Sequence, residues 1–318
     1  PLQRQMLWCA QRGADWLYRM NGVKGRFLYG YLPALKAEMD GDHYLRQAGA
    51  AFALARAARF TGEERYAARA TQAVLALLDE TVLDPRDAQV RYTGQHPAAV
   101  NRLGAAGRLV LAINELPDPR PDLLDKSEQL CNYIRRQARP DGSLSSDDRP
   151  EDGTAAGADP EGLDHYPGEA LYALMLSQKH RPASWKTDVV RKACAYYHAW
   201  WKAHPSMAFV PWQTAAYAEA YLQTKDPAFA HCVTEMSDWL CKLQYVQIDP
   251  RRLLWHGGFM TWADGRAVES APRADSAFYA EGLAQACRVA REMGDVDAHQ
   301  RYSEALVRCL QFLATMQY

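Results

Sequence analysis

Carboxylates, histidines, tyrosines and indoles recur in this sequence where irregular stretches give way to apolar helical patterns. The densest case is Asp164-His165-Tyr166-Pro167-Gly168-Glu169, which ends a long polar stretch and opens a run of alanine and leucine. Comparable helix starts carry Asp42, His43, Arg46 and Gln47, then His96, Asn101 and Arg102, then Trp212 and Gln213. A last group comprises Trp255, His256, Trp262, Asp264, Glu269, Arg273, Asp275, Tyr279 and Glu281. Paired carboxylates can act as acid and base at a glycosidic bond. A histidine beside them can take a proton from carbon, and an indole offers a flat apolar face to a sugar ring. Glu169, Asp164, His165, Asp275 and Glu281 are therefore the candidate catalytic groups. His43, Arg46, Asn101, Tyr166, Trp212, Gln213, Trp255, His256, Trp262, Arg273 and Tyr279 are the candidate substrate contacts.

Each of these residues also has a structural reading. With Pro167 as the first residue of a helix, Glu169 falls in the first turn, where a carboxylate complements the helix dipole or bonds back to the cap. Asp275 can cap the last such helix, and Glu281 can be buried against an arginine or a tyrosine. His165 can be a hydrogen-bonded packing residue, and Asp164 an ordinary loop acid. Trp255 and Trp262 flank Gly257-Gly258 in a loop, where helix packing does not require them. Trp16, Trp185, Trp200, Trp201 and Trp239 lie on helical patterns and are expected in the core.

The elements that would position these groups are helices. Periodicity and breakers predict helices over 2–20, 43–60, 64–80, 99–116, 121–138, 167–179, 185–203, 211–224, 227–244, 273–293 and 296–317. Thr61 and Glu64 have capping-box spacing, and Asp226-Pro227 supplies an N-cap followed by an N1 proline. The first helix stands alone, and the others pair into five hairpins with short internal links. Links between hairpins are mostly long, at 21–42, 81–98, 139–165 and 245–272. Glycine turns recur after several second helices, as Asn21-Gly22, Pro140-Asp141-Gly142-Ser143 and Gly257-Gly258-Phe259. A helix-pair repeat of this kind forms an array whose long links gather at one end. Long structured loops are usually functional.

This layout resembles the α/α-toroid superfamily, the six-hairpin barrels of many glycoside hydrolases and sugar epimerases. The resemblance implies an all-α single domain over residues 1–318, with a ring of inner helices inside a ring of outer ones. It places the first helix of each pair inside and the pocket at the mouth where the inner helices begin. The small-residue runs Ala48-Gly49-Ala50-Ala51 and Gly104-Ala105-Ala106-Gly107 suit close inner packing. A helix before Pro1 would complete a sixth pair, so an upstream segment or domain is expected to have been removed. The implied activity is binding or processing of a carbohydrate or uronic-acid-containing substrate, of hydrolase, epimerase or lyase type. A non-catalytic array that binds a peptide, glycan or partner domain is the alternative, and an isoprenoid-cyclase-like toroid the third.

Other chemistries fit less well. Gln137-x-x-Pro140-Asp141-Gly142-Ser143 resembles the repeat of squalene-cyclase-like toroids, but Leu144 replaces its aromatic and Ser145 stands where the first acid would be. No Cys-His or Cys-x-x-Cys spacing supplies a zinc set of the prenyltransferase or lanthionine-cyclase kind. No Walker or Rossmann glycine pattern is present. Neither metal nor cofactor is therefore expected. The seven cysteines read as small buried hydrophobes rather than a disulfide framework. With 37 Lys+Arg against 38 Asp+Glu, no basic groove for nucleic acid is indicated. No apolar run is long enough to span a bilayer, which leaves a soluble protein, cytoplasmic or exported after loss of a leader. The run 149–162, rich in Gly, Asp, Glu, Pro and Ala, is expected to be mobile.

Overall fold

Helices that are apolar on every side sit inside a protein, and helices with one apolar stripe cover them. The sequence contains both kinds in alternation. The computed structural model describes residues 2–96, 99–146 and 160–316, and among these there are eleven α-helices. They are α1 (Leu2–Met20), α2 (Tyr44–Thr61), α3 (Glu64–Leu78), α4 (Arg102–Glu115), α5 (Pro121–Gln137) and α6 (Pro160–His180). The remainder are α7 (Ser184–Ala203), α8 (Val210–Thr224), α9 (Pro227–Cys241), α10 (Ser276–Met293) and α11 (Val296–Thr315). The fold is all-α. None of the described helices is long and apolar enough to cross a membrane. The stretch expected to be mobile falls outside the described residues up to position 159.

Nearly every residue of α4 and of the first three turns of α8 is buried. By contrast α3 buries one stripe, Tyr66, Ala70, Ala73, Val74 and Leu77, at helical spacing. The even-numbered helices accordingly pack in sequence, α2 on α4, α4 on α6, α6 on α8 and α8 on α10. Each odd-numbered helix from α3 on packs outside its hairpin partner. The buried apolar residues, from Ala14 in α1 to Cys309 in α11, form one continuous cluster. Small residues allow the inner helices to approach, as expected. A Cβ added at Gly107 would lie 3.1 Å from the Ala170 backbone, and one at Gly168 would lie 2.6 Å from the Trp212 Cβ.

Caps mark several of the helix ends. Asn101 Oδ1 accepts from the Gly104 amide, Asp226 from that of Ala228 and Asp295 from that of Ala298. Left-handed Gly62 and Gly294 close α2 and α10. Two local expectations fail. Thr61 is the last residue of α2 and donates to Ala57 O at 2.7 Å, so α3 starts from Glu63 without a capping box. Helix α6 starts at Pro160, so Pro167 lies inside it. A proline without an N–H is tolerated there at the cost of one helical hydrogen bond, and the rule that starts helices at proline misplaced the boundary.

The long links contain strands that the sequence reading did not anticipate. Strands β1 (Gly30–Leu32) and β2 (Ala37–Met39) pair antiparallel, as do β3 (Thr81–Asp84) and β4 (Asp87–Thr93), and β5 (Thr261–Ala263) and β6 (Arg266–Val268). All three hairpins precede an inner helix and so gather at the long-link end. Asp264 and Gly265 both have positive φ and form the two-residue turn of β5–β6, the Asp-Gly signal for such a hairpin. Asp264 is therefore a turn residue.

A second-level repeat is also present. Gly25, Gly142 and Gly257 have positive φ, and each presses its α-carbon against an outer helix, at Gln72, Lys192 and Arg308 respectively. Two residues on, Phe27, Leu144 and Phe259 are buried and bridge back to the end of the preceding outer segment, at Asn21, Ala138 and Gln244. Leu144 thus fills the place that an aromatic takes in the other two copies.

All seven cysteines are free. Cys131, Cys194, Cys232, Cys287 and Cys309 are buried, in keeping with the core reading, while Cys9 and Cys241 are half-buried. Trp201 is a core residue, but Trp16 is exposed on α1, which buries only Ala14.

Candidate functional site

Four of the even-numbered helices, α2, α4, α8 and α10, line a central cavity of about 390 Å³. Its walls come from Gly49, Phe52, Ala53 and Arg56 of α2, Arg108 and Leu111 of α4, Trp212 of α8, and Phe278 and Glu281 of α10. The α2 set is spaced i, i+3, i+4, i+7, which places it on one face of the helix. Trp212 and Phe278 lie in the first turns of α8 and α10, whereas Arg56 and Leu111 lie in the last two turns of α2 and α4, so the cavity runs along the helices from the long-link end. Phe278 is 46% exposed, and the Arg56 and Glu281 side chains are about one-third exposed, at 36% and 31%. The cavity is open to solvent.

Arg56 organises its polar side. The guanidinium donates to Glu281 Oε1 at 2.6 Å and to the Tyr172 hydroxyl at 2.8 Å. It stacks over the Phe52 ring at 4.4 Å, and Glu115 lies 3.9 Å away. Burial disfavours the Arg56 charge, but Tyr172, Glu281 and Glu115 more than offset it and hold the pKa above the usual arginine value. Burial raises the Tyr172 pKa well above that of an ordinary phenol, against the opposing pull of Arg56. Both groups keep their protons at neutral pH. The apolar side consists of Phe52, Trp212 and Phe278, with Trp212 and Phe278 ring centroids 6.5 Å apart. The buried Trp212 Nε1 has no hydrogen-bond partner, an orphaned donor in the cavity wall.

Glu169 is fully buried and accepts two hydrogen bonds from Arg108, at 2.9 Å from Nε and 2.6 Å from Nη2. Arg108 also donates to Leu45 O at 2.9 Å, so one guanidinium ties α2, α4 and α6 together. Burial opposes the Arg108 charge, and Glu169 restores it beyond the normal arginine value. Glu169 therefore neither caps α6 nor sits in its first turn. Full burial and a bidentate bond to Arg108 favour a structural role for Glu169.

The other expected residues divide between two further recesses and the helix starts. Trp262, Arg273, Asp275 and Tyr279 line a recess of about 190 Å³ with Ser206 and Met207. Asp275 is paired with Arg273 at 2.8 Å and makes no capping bond to α10. Burial, then the Asp275 carboxylate, pushes the Tyr279 phenol up to about 12. Asp164 accepts from Ser206 at 2.8 Å, which ties α6 to this recess. Trp255 and His256 belong to a loop recess of about 390 Å³ formed within residues 244–269, where Arg252 stacks on Trp255 at 4.5 Å and pairs with Glu269.

His43 precedes α2 without capping it. Burial, then the charges of Arg46 and Arg108, lower its pKa and favour the neutral ring. Arg46 is exposed and stacks over Tyr29 at 5.1 Å. Asn101 caps α4 and donates to Ser146 O at 2.8 Å. The Tyr166 ring lies against Gly104, His165 is half-buried, and Gln213 is fully buried outside the cavity lining.

Of the expected residues, the cavity thus unites Trp212 and Glu281 alone. Phe52, Arg56, Arg108 and Tyr172 escaped the sequence reading because they lie one to four turns inside their helices, and Phe278, in the first turn of α10, was passed over among the polar residues around it. The available signal was arginine within the alanine-rich stretches of α2 and α4. A charge there needs a buried partner.

A metal-ligating set was not expected, yet α7 and α9 bring His198, His231 and Glu235 together with ligand atoms within 4.8 Å of one another. Compared with known proteins, the chain matches no family model and no curated protein.

Proposed function

We propose that the central cavity binds a neutral sugar ring, its apolar face against Phe278 and Trp212 and its hydroxyls on the Arg56–Glu281 pair. One observation carries this reading: an open cavity of about 390 Å³ combines these rings with a guanidinium–carboxylate pair held at 2.6 Å. Ligand pockets are commonly apolar recesses with a few fixed polar groups. A paired guanidinium and carboxylate offer donors and acceptors side by side, which suits vicinal hydroxyls. A uronate is disfavoured because both cavity arginines already bind a carboxylate, Arg56 that of Glu281 and Arg108 that of Glu169. The loop recess around Trp255 draws its walls from one loop, whereas the cavity lies on four helices and is better preorganised.

The same geometry favours recognition over two-acid hydrolysis. Glycoside cleavage commonly uses two carboxyl groups flanking one bond. Glu281 is the single carboxylate lining the cavity among the described residues. An inner ring closed into an α/α toroid would be the framework for this site.

The test is a glycan-array and calorimetric screen of mono- and oligosaccharides against the wild type, Phe278→Ala, Glu281→Gln and Trp255→Ala. Phe278→Ala should weaken binding about tenfold, for a loss of roughly 1.4 kcal/mol. Glu281→Gln should weaken it by a similar or larger factor, through loss of a charged hydrogen bond. Trp255→Ala should leave affinity unchanged. Absence of sugar binding, or equal affinity in all four proteins, would remove the proposal.

A further inference from the structure

On the outer surface, away from the cavity lining, α7 and α9 place two imidazoles and a carboxylate around one point. Glu235 Oε2 lies 2.7 Å from His198 Nε2 and 3.4 Å from His231 Nε2. His231 and Glu235 are spaced i, i+4 and project from the same face of α9. His198 comes from α7, and its ring stacks on Trp201 at an interplanar angle of 15°. Lys202 bonds the other carboxylate oxygen, Oε1, at 2.9 Å. That contact leaves Oε2 turned toward both rings.

We propose that His198, His231 and Glu235 form a binding site for a zinc-class divalent ion that joins α7 to α9. A tetrahedral zinc with bonds of about 2.0–2.1 Å holds its ligand atoms roughly 3.3 Å apart. The His231–Glu235 separation already matches this. His198 would have to withdraw from Glu235 by about 0.6 Å, and the two imidazole nitrogens, which lie within 4.8 Å of one another, would settle at the same spacing, through side-chain rotations of His198 and the exposed His231. Two imidazoles and one carboxylate suit zinc and its neighbours. Calcium and magnesium require more oxygen ligands than this set offers.

Each ring would bind through Nε2 and keep its proton on Nδ1. Lys202 would stay on Oε1 as an outer partner that orients the carboxylate. Three protein ligands leave the fourth position to water. His231 is 68% exposed, which gives the ion its entry path. The buried thiols of Cys194 and Cys232 also lie between α7 and α9, with sulfurs 3.0 Å apart, and form the competing site that the test must separate.

The test uses the full chain, stripped with a chelator and titrated with ZnCl2 against a chromophoric competitor. The expected result is one equivalent per chain, bound more than about tenfold more weakly by His231→Ala and by Glu235→Gln, and unaffected by excess Ca2+. Lys202→Ala should weaken binding by a smaller factor. Cobalt substitution should give ligand-field bands without a thiolate-to-metal charge-transfer band. A charge-transfer band, zinc binding that survives both ligand variants, or no stoichiometric binding would each overturn the site. His231 and Glu235 are partly exposed, so both variants should fold, and circular dichroism checks this in the same samples.

Discussion

An Arg108→Ala variant should lose about 3–5 kcal/mol of stability, read as a fall in the urea midpoint at unchanged slope. Glu169 is fully buried, and both its charge-assisted hydrogen bonds come from Arg108. The substitution strands a carboxylate in the core and also frees Leu45 O, which Arg108 binds at 2.9 Å. The loss arises from the uncompensated charge more than from the pair itself. The double variant Arg108→Met, Glu169→Leu should therefore recover most of it, since apolar residues of similar volume often replace a buried pair at little cost. A single-variant loss below about 1 kcal/mol would mean that water reaches Glu169.

Gly257→Ala should be the second most damaging change, at about 2–4 kcal/mol from backbone strain and overpacking together. Gly257 has φ 89°, and an added Cβ would lie 2.1 Å from the Arg308 carbonyl oxygen. That neighbour is helix backbone and cannot rotate away. Gly294→Ala is the control, because Gly294 has φ 72° but open space around its α-carbon. It should cost about 1 kcal/mol. Equal losses at the two positions would show that the strained conformation alone matters and that the contact on α11 contributes nothing.

The helical part of the fold was legible because it rests on local rules. Ten of the expected helices start and end close to their observed positions, fixed by caps such as Asp226 and stops such as Gly62 and Gly294. Pro167 misled because tertiary packing tolerates a proline inside α6 that local preference reads as a helix start. The small β-hairpins were missed because strands of three or four residues, which make up all but β4, carry too little alternation to register. The Asp264-Gly265 turn was nevertheless present in the sequence as a signal.

The site was less legible than the helices. Helix starts drew attention to Glu169, Asp164 and His165, but the polar groups of the cavity lie deeper. Arg56 meets Glu281 across 225 residues of sequence, and Arg108 meets Glu169 across 61. No local pattern specifies such pairs, although an arginine in a helix buried on most sides implies one. The possibility raised for Glu281, burial against an arginine or a tyrosine, came nearest: it is paired with Arg56, with about one-third of its side chain exposed, at 31%.

The most direct measurement is a crystal structure of the protein grown with the sugar that binds tightest in the screen. The sugar should lie in the central cavity, with its ring against Phe278 and its hydroxyls on Arg56 and Glu281. A ring bound instead among Trp255, His256 and Glu269, or in the recess of Trp262 and Tyr279, would contradict the account.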